Sequence, residues 1–355
     1  MISRIPKNLV QKNYTRNSIK KKIFWDEISL LTVPLLPLSG LFYLLQLGMK
    51  LVGQTIANKK KHLINIPIVV VGNITVGGTG KTPLVMYLAN ELYKIGYKPG
   101  VISRGFGREN SEILEVSTNA SPKTVGDEPL MIKRRLNFCP VFVGPDKTEA
   151  IMALIQKYPN TNLIISDDGL QHYALNRDVE ICVVDGDRKF GNGLLIPAGP
   201  LRQPQTRISE VDITVIKNGS DSSFTESGKC FFMSYVPMDF RNIKNPKKYE
   251  SVENWHNKEF FAVAGIGNPY NFFELLEKNN LKFQHRIFPD HHKFMETDLN
   301  FVGDSPVLMT EKDAIKCSSF ARANWWMLRV EVIIDPEIIE SIQKKIEKIN
   351  ECQVA

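Results

Sequence analysis

Cysteine is scarce in this chain and never paired. Five occur in 355 residues, at Cys139, Cys182, Cys230, Cys317 and Cys352, with no CxxC. That scatter excludes a disulfide framework and a zinc knuckle, and it suits a reducing compartment. No A-x-A-like site follows a short apolar core near Met1, so no secretory leader is expected. Internal repeats and low-complexity tracts are also missing. Excess charge is lacking beyond residue 62. The formal net charge is +7, but residues 1–62 hold nine Lys and two Arg against Asp26 and Glu27, a balance of +9, and the rest comes to −2. A nucleic-acid binder more often carries its charge on the folded domain, so no nucleic-acid partner is expected.

The basic segment surrounds an apolar one. Ile28 to Met49 runs for 22 residues without a charge, long enough to cross a bilayer. Pro34 and Pro37 interrupt the helix pattern. Lys20, Lys21 and Lys22 precede the run, and Lys50, Lys59, Lys60 and Lys61 follow it. A span puts one basic flank on the wrong side. A segment lying in the leaflet lets both flanks meet anionic headgroups. Surface insertion is therefore the preferred reading. A true span and a helix packed on the protein's own core remain alternatives.

From Ile68 onward strand and helix patterns alternate. Ile68–Val71, Pro99–Ser103, Pro140–Val143, Leu163–Ser166, Val179–Asp185 and Ile213–Ile216 read as strands, and Thr82–Ile95 and Lys147–Lys157 as helices. Such alternation implies an α/β fold with a mostly parallel sheet and helices on both faces. Ligands then sit at the carboxyl ends of the strands. A loop rich in Ser, Gly and charge over 218–229 leads to a second alternating unit. The expected organisation is an N-terminal membrane-associating segment (1–62), a P-loop kinase core (63–224) and a smaller C-terminal α/β domain (225–355).

The loop after the first strand, GNITVGGTGKTP, carries the clearest chemistry. Gly77, Gly78 and Gly80 let backbone N–H groups curl around phosphates. Lys81 reaches the β and γ phosphates, and Thr82 offers a hydroxyl to Mg²⁺. The usual pattern asks for glycine at position 75, where Thr75 stands. The loop is similar to the variant of the P-loop class that includes the MinD and dethiobiotin synthetase families, which need no glycine there. Thr75, Gly77, Gly78, Thr79, Gly80, Lys81 and Thr82 are the candidate nucleotide contacts. No N-K-x-D element reads guanine, and TEKD at Thr310–Asp313 has a different spacing. ATP is the expected nucleotide.

A P-loop enzyme needs a further Mg²⁺-side carboxylate at the end of a neighbouring strand. LIISDDG supplies Asp167 and Asp168, with a turn-capping role as the plain alternative. Gln171 and His172 follow directly. VGDEP places Asp127 and Glu128 in a turn before a helix. Taken alone, Asp127 reads as a helix cap. FPDHH concentrates Asp290, His291 and His292 at a spacing poor for a metal, so one histidine paired with a carboxylate is the better reading.

GNITVGGTGKTP, SRGFG, VGDEP, VGPDK, SDDGLQH, LIPAGPLR, FPDHH and TEKDAIK occur in this order. The set resembles the tetraacyldisaccharide 4′-kinase (lipid A 4′-kinase) family over nearly the whole chain. The resemblance implies phosphoryl transfer from ATP to the 4′-hydroxyl of a tetraacylated glucosamine disaccharide 1-phosphate. It implies work at the cytoplasmic face of the Gram-negative inner membrane, by a monomer. It implies Asp127 as the catalytic base, His291 as its partner, and Thr82, Asp167 and Asp168 on the Mg²⁺ side. Arg104, Gln171 and His172 become substrate contacts. Three positions depart from the family's habit: Phe106 for Tyr, Lys147 for Arg, and Gln203 for an acid. The competing reading is a membrane-associated ATPase switch that assembles or delivers a partner. Its usual extra loop lysine is replaced here by Val76.

Overall fold

The computed structural model describes residues 25, 27–221 and 228–354. The basic group Lys20, Lys21 and Lys22 and positions 222–227 of the expected linker lie outside the described residues. In chain order the elements are α1 (Leu36–Lys60), β1 (Ile68–Gly72), α2 (Lys81–Lys94), β2 (Pro99–Ser103), β3 (Leu114–Glu115), α3 (Pro122–Val125), α4 (Asp127–Arg135), β4 (Val141–Val143), α5 (Lys147–Lys157), β5 (Leu163–Asp167), β6 (Val179–Asp185) and β7 (Ile213–Lys217). Then come β8 (Lys229–Asn242), β9 (Tyr249–Glu250), β10 (Phe260–Ala264), α6 (Pro269–Lys278), β11 (Phe283–Ile287), β12 (Val307–Thr310), α7 (Glu311–Cys317), β13 (Trp325–Ile334) and α8 (Glu337–Val354).

The central strands are continuous apolar runs because both their faces are covered. In β1, Val69 and Val71 face a core shared with Leu84, Leu88 and Leu92 of α2. Ile68 and Val70 face the opposite core, with Ala150, Ile151 and Leu154 of α5. Helix α8 returns from the C-terminus and sets Ile338, Ile342 and Ile346 into the first of these cores.

One sheet runs through the molecule in the order β11-β10-β12-β13-β8-β7-β6-β1-β5-β2-β4-β3, with β9 paired to β8. Strand β8 joins its two halves. Its start pairs parallel with β7, up to Lys217↔Met233. Its remainder pairs antiparallel with β13, from Ile334↔Met233 to Trp326↔Asn242. At about 3.3 Å per residue, this second stretch carries the C-terminal half roughly 30 Å beyond the end of β7. Because β13 runs back along it, the carboxyl ends of β10, β12 and β13 point toward those of β1, β5, β6 and β7. Two sets of loops therefore face one another across a single cleft.

Helix α1 has its apolar side outward. The face toward the protein is a stripe of small and polar residues, Ser39, Gln46, Gly53 and Ala57. The Ser39 hydroxyl donates to the Leu195 carbonyl at 2.8 Å, and Gln46 donates to the Arg202 carbonyl. A Cβ on Gly53 would lie 2.5 Å from Tyr173 Cβ, so only glycine lets the helix approach there. Leu38, Leu41, Leu44, Leu45, Leu51 and Val52 are exposed. This excludes the core-packed alternative. The prolines also act differently from the sequence expectation. Pro34 lies in a short 3-10 turn and Pro37 in the first turn of α1, where a missing N–H costs no helical bond. They start the helix, which then runs unbroken for 25 residues.

Candidate active site

The glycine loop joins β1 to α2 as the sequence pattern requires. Gly77 and Gly80 have φ of +97° and +96°, a region open to glycine and strained for other residues. The loop is braced from outside. The Val76 amide donates to the Pro200 carbonyl at 2.8 Å, and the Arg202 amide to the Ile74 carbonyl at 2.7 Å. Thr75 pairs with Leu201 in an isolated bridge. Below the loop, the Gln171 amide donates to the Asn73 carbonyl at 2.7 Å and to Gln203 Oε1 at 3.0 Å. Gln203 in turn donates to the Tyr173 hydroxyl. Gln171 and Gln203 thus form part of the loop's foundation.

Lys81 opens α2. Its ammonium donates to Asn73 Oδ1 at 3.0 Å and stands 3.4 Å from Asp168 Oδ1. Thr82 is buried beside it, and the buried Thr79 hydroxyl has no hydrogen-bond partner among the described residues. Asp167 ends β5, and Asp168 follows at a φ of +48°. Burial tends to raise the Asp168 carboxyl, but Lys81 and Arg202 outweigh it and hold it below its ordinary value. Asp167 is different. Both its carboxylate oxygens are buried and lack a hydrogen-bond partner among the described residues. Burial, reinforced by the charges of Glu128 and Asp168, pushes it up to about 7.

Lys147 stands behind this pair and not on the cleft wall. Its ammonium donates to Ser166 Oγ at 2.9 Å, to the Asp168 carbonyl at 3.1 Å and to the Asp167 carbonyl. It braces the acidic turn from inside the protein, and burial pulls it down to about 8. His172 is partly buried, and its Nε2 lacks a hydrogen-bond partner among the described residues. Burial, with the Lys147 charge, drives it down to about 4. The positive field of Arg104, exposed in the SRGFG loop, acts on both groups.

Asp127 is the first residue of α4. The N-cap is Gly126, and no side chain caps that helix. The helix-cap reading of Asp127 is therefore not realised. Asp127 Oδ2 is buried without a hydrogen-bond partner among the described residues. Its ion partner is Lys312, 3.9 Å away on α7. No hydrogen bond joins Asp127 to His291 among the described residues. His291 instead stands beside Asp290, with 3.9 Å between Nε2 and Oδ2, and its ring lies 4.8 Å from that of Phe106. His292 faces away. Its Nε2 lies 2.9 Å from Asp298 Oδ2, and its ring packs against Phe288 and Phe294.

The loops of the two halves meet here. A Cβ on Gly267, after β10, would lie 3.2 Å from the Gly78 amide nitrogen and 2.9 Å from Asp290 Oδ2. The FPDHH loop and the phosphate loop thus share the cleft, although more than two hundred residues separate them. Sequence reasoning gave no role to Lys312, Arg202 or Tyr235. The first two belong to the motifs TEKD and LIPAGPLR. Tyr235 had no signal beyond its place in β8.

The site has relatives. A family model described as tetraacyldisaccharide-1-P 4′-kinase matches residues 31–347. The tetraacyldisaccharide 4′-kinase of Methylobacillus flagellatus is 42% identical over 318 residues, covering 90% of this chain and 93% of that protein. That of Nitrosococcus oceani is 45% identical over 301 residues, covering 84% and 86%. Among solved structures, an "apo" form LpxK from Aquifex aeolicus in complex with ATP is similar at a TM-score of 0.69 and 26% identity, covering 90% of this chain and 99% of that one. The family model's match takes in the phosphate loop, the acidic turn and the C-terminal loops alike, and the chain belongs to the tetraacyldisaccharide 4′-kinase family.

Proposed function

We propose that this protein transfers the γ-phosphoryl group of ATP to the 4′-hydroxyl of a tetraacylated glucosamine disaccharide 1-phosphate, a step of lipid A biosynthesis. It does so as a monomer docked on the cytoplasmic face of the inner membrane. The observation that carries this reading is the single cleft in which the phosphate loop, an Asp127 that caps no helix and the His291 loop converge. The kinase core (63–224) supplies the nucleotide groups, and the smaller unit (225–355) closes the other side.

Lys81 neutralises the β and γ phosphates when it leaves Asn73 and Asp168. Asp127 accepts the proton of the attacking hydroxyl and aims its oxygen at the γ-phosphorus. His291 stands across the cleft on the acceptor side, with Arg104 and His172 toward the sugar. Gln171 acts through the loop it supports. The residues present suit Mg²⁺. Asp167 has two buried carboxylate oxygens without a hydrogen-bond partner among the described residues, and Asp168 beside it faces Lys81, the neighbour of Thr82 in α2. No group of three or more metal-ligating side chains occurs among the described residues, and Mg²⁺ commonly takes one or two carboxylates plus substrate phosphates. When bound, it neutralises charge on the transferring phosphoryl oxygens. The outward apolar face of α1, followed by the exposed Lys59 and Lys61, supports docking in an anionic leaflet, whereas Lys50 and Lys60 pair with Glu210 and Asp146 of the protein itself.

The test is transfer from γ-labelled ATP to the disaccharide monophosphate in mixed micelles. Label is expected in a bisphosphorylated lipid, and Lys81→Ala should abolish it. Label released only as inorganic phosphate, regardless of added lipid, would support the ATPase switch and sink the kinase reading.

A further inference from the structure

Lys312 is not a loose surface lysine. The Thr310 side chain caps α7 by accepting from the Asp313 amide. The Asp313 carboxylate accepts from the Gly265 amide at 2.9 Å. The start of α7 is thereby locked to the loop after β10, and the Lys312 backbone is fixed. Its side chain crosses the cleft to α4 and is 15% exposed. Arg135, at the far end of α4, stands 3.2 Å from Glu311 and keeps the two helices in register.

Across the cleft Lys312 meets two consecutive acids. Its ammonium donates to Glu128 Oε1 at 2.8 Å and lies 3.9 Å from Asp127 Oδ2, the buried oxygen without a hydrogen-bond partner among the described residues. A tether between the two halves requires only one acid. An ammonium has three donors and no acceptor. One is given to Glu128, which leaves positive charge directed at Asp127. Burial acts to discharge Lys312, but Glu128 and Asp127 outweigh it and hold its proton more tightly than usual.

We propose that Lys312 is the positioning residue of Asp127: Glu128 anchors its ammonium, and the ammonium holds the Asp127 carboxylate where the acceptor hydroxyl arrives. Lys312 itself touches neither the hydroxyl nor the phosphate. The arrangement makes turnover depend on the junction of the two halves, because the base sits on one and its positioning charge on the other. This inference rests on the kinase reading.

The experiment is a double-mutant cycle on the full chain, read by transfer to the disaccharide monophosphate. Lys312→Met should lower kcat roughly 10- to 100-fold, the scale for misplacing a reacting group by about 1 Å, with the KM for ATP changed less than about twofold. In an Asp127→Asn background, Lys312→Met should leave the residual single-turnover rate unchanged, since a residue acting through Asp127 has nothing left to position. A purely structural tether moves the melting temperature and both rates by the same factor in either background. That result overturns the proposal, as does a raised KM for ATP with kcat intact. If Lys312→Met does not fold, Glu128→Gln takes its place. It keeps an acceptor for Lys312 but loosens the anchor, and its effect must also vanish beside Asp127→Asn. A wild-type chain that transfers no phosphate to the lipid defeats the kinase reading and this inference with it. An active wild type with additive variants defeats the inference alone.

Discussion

The Tyr235 hydroxyl donates to the Gly80 carbonyl at 3.2 Å, and a Cβ on Gly80 would lie 2.1 Å from that same oxygen. A residue of β8, the strand that joins the sheet halves, therefore presses directly on the N-cap of α2. Gly80→Ala is expected to lower the melting temperature and abolish ATP binding. Two causes act together, the clash with Tyr235 and a left-handed backbone that costs a non-glycine residue about 1–2 kcal/mol. Adding Tyr235→Phe removes only the first. The double variant should recover part of the stability and little of the binding, as read by thermal melts and calorimetric titration with ATP.

Asp127→Asn removes a carboxylate that caps no helix. It should fold with little change in melting temperature and retain ATP. Single-turnover transfer should fall roughly 10²-fold or more, the scale for losing a positioned base. Near-normal transfer by the stable variant would leave Asp127 without a chemical role.

Leu44 and Leu45 face outward on α1, 64% and 58% exposed. Replacing both with Glu removes no contact with the folded core, so the melting temperature should hold. Vesicle flotation should show loss of binding to anionic liposomes, because the apolar face and the anionic surface then both oppose docking. Vesicle binding as tight as that of the unaltered chain would place the anchor elsewhere.

His172 gives a pH signature with a definite sign. Its folded value is about 4 against an ordinary 6.5. Between those limits the unfolded chain binds the extra proton, so stability rises as pH increases from 4 to 6.5 and gains nothing further above that. The contribution is at most about 3 kcal/mol. His172→Gln should flatten this part of the curve in urea titrations at pH 4.5 and 6.5.

The phosphate loop and the acidic turn are readable in the sequence because each follows a short strand buried on both faces, which shows as an unbroken apolar run ending in glycine or acid. Strand β8 is not. KCFFMSYVPMDFRN mixes buried and exposed positions and contains Pro237, since its two stretches pair with different neighbours. Lys312 escapes for a different reason. A single lysine in a short helix looks like any solvated charge, and its partner Glu128 lies 184 positions away. The prolines at the start of α1 run against the sequence expectation because a periodic pattern shows where proline falls but not which turn of the helix receives it. Asp127 is the mixed case. Its motif was visible, yet the absence of a cap needed the backbone of Gly126 to be seen.

One contact on α1 fixes how far the acidic turn stands from the helix's outward apolar face. Gln46 donates to the carbonyl of Arg202, and the guanidinium of Arg202 reaches Asp168 at 3.4 Å. Two side chains therefore separate the outward-facing helix from the acidic turn. If α1 docks on the bilayer as proposed, phosphoryl transfer takes place at the depth of the headgroups, and the acyl chains need not be drawn into water for each turnover. The quantity that governs the rate is then the acceptor's share of the surface, not its amount per volume. Diluting the lipid with inert detergent at constant bulk concentration slows such an enzyme, and its KM is properly a mole fraction.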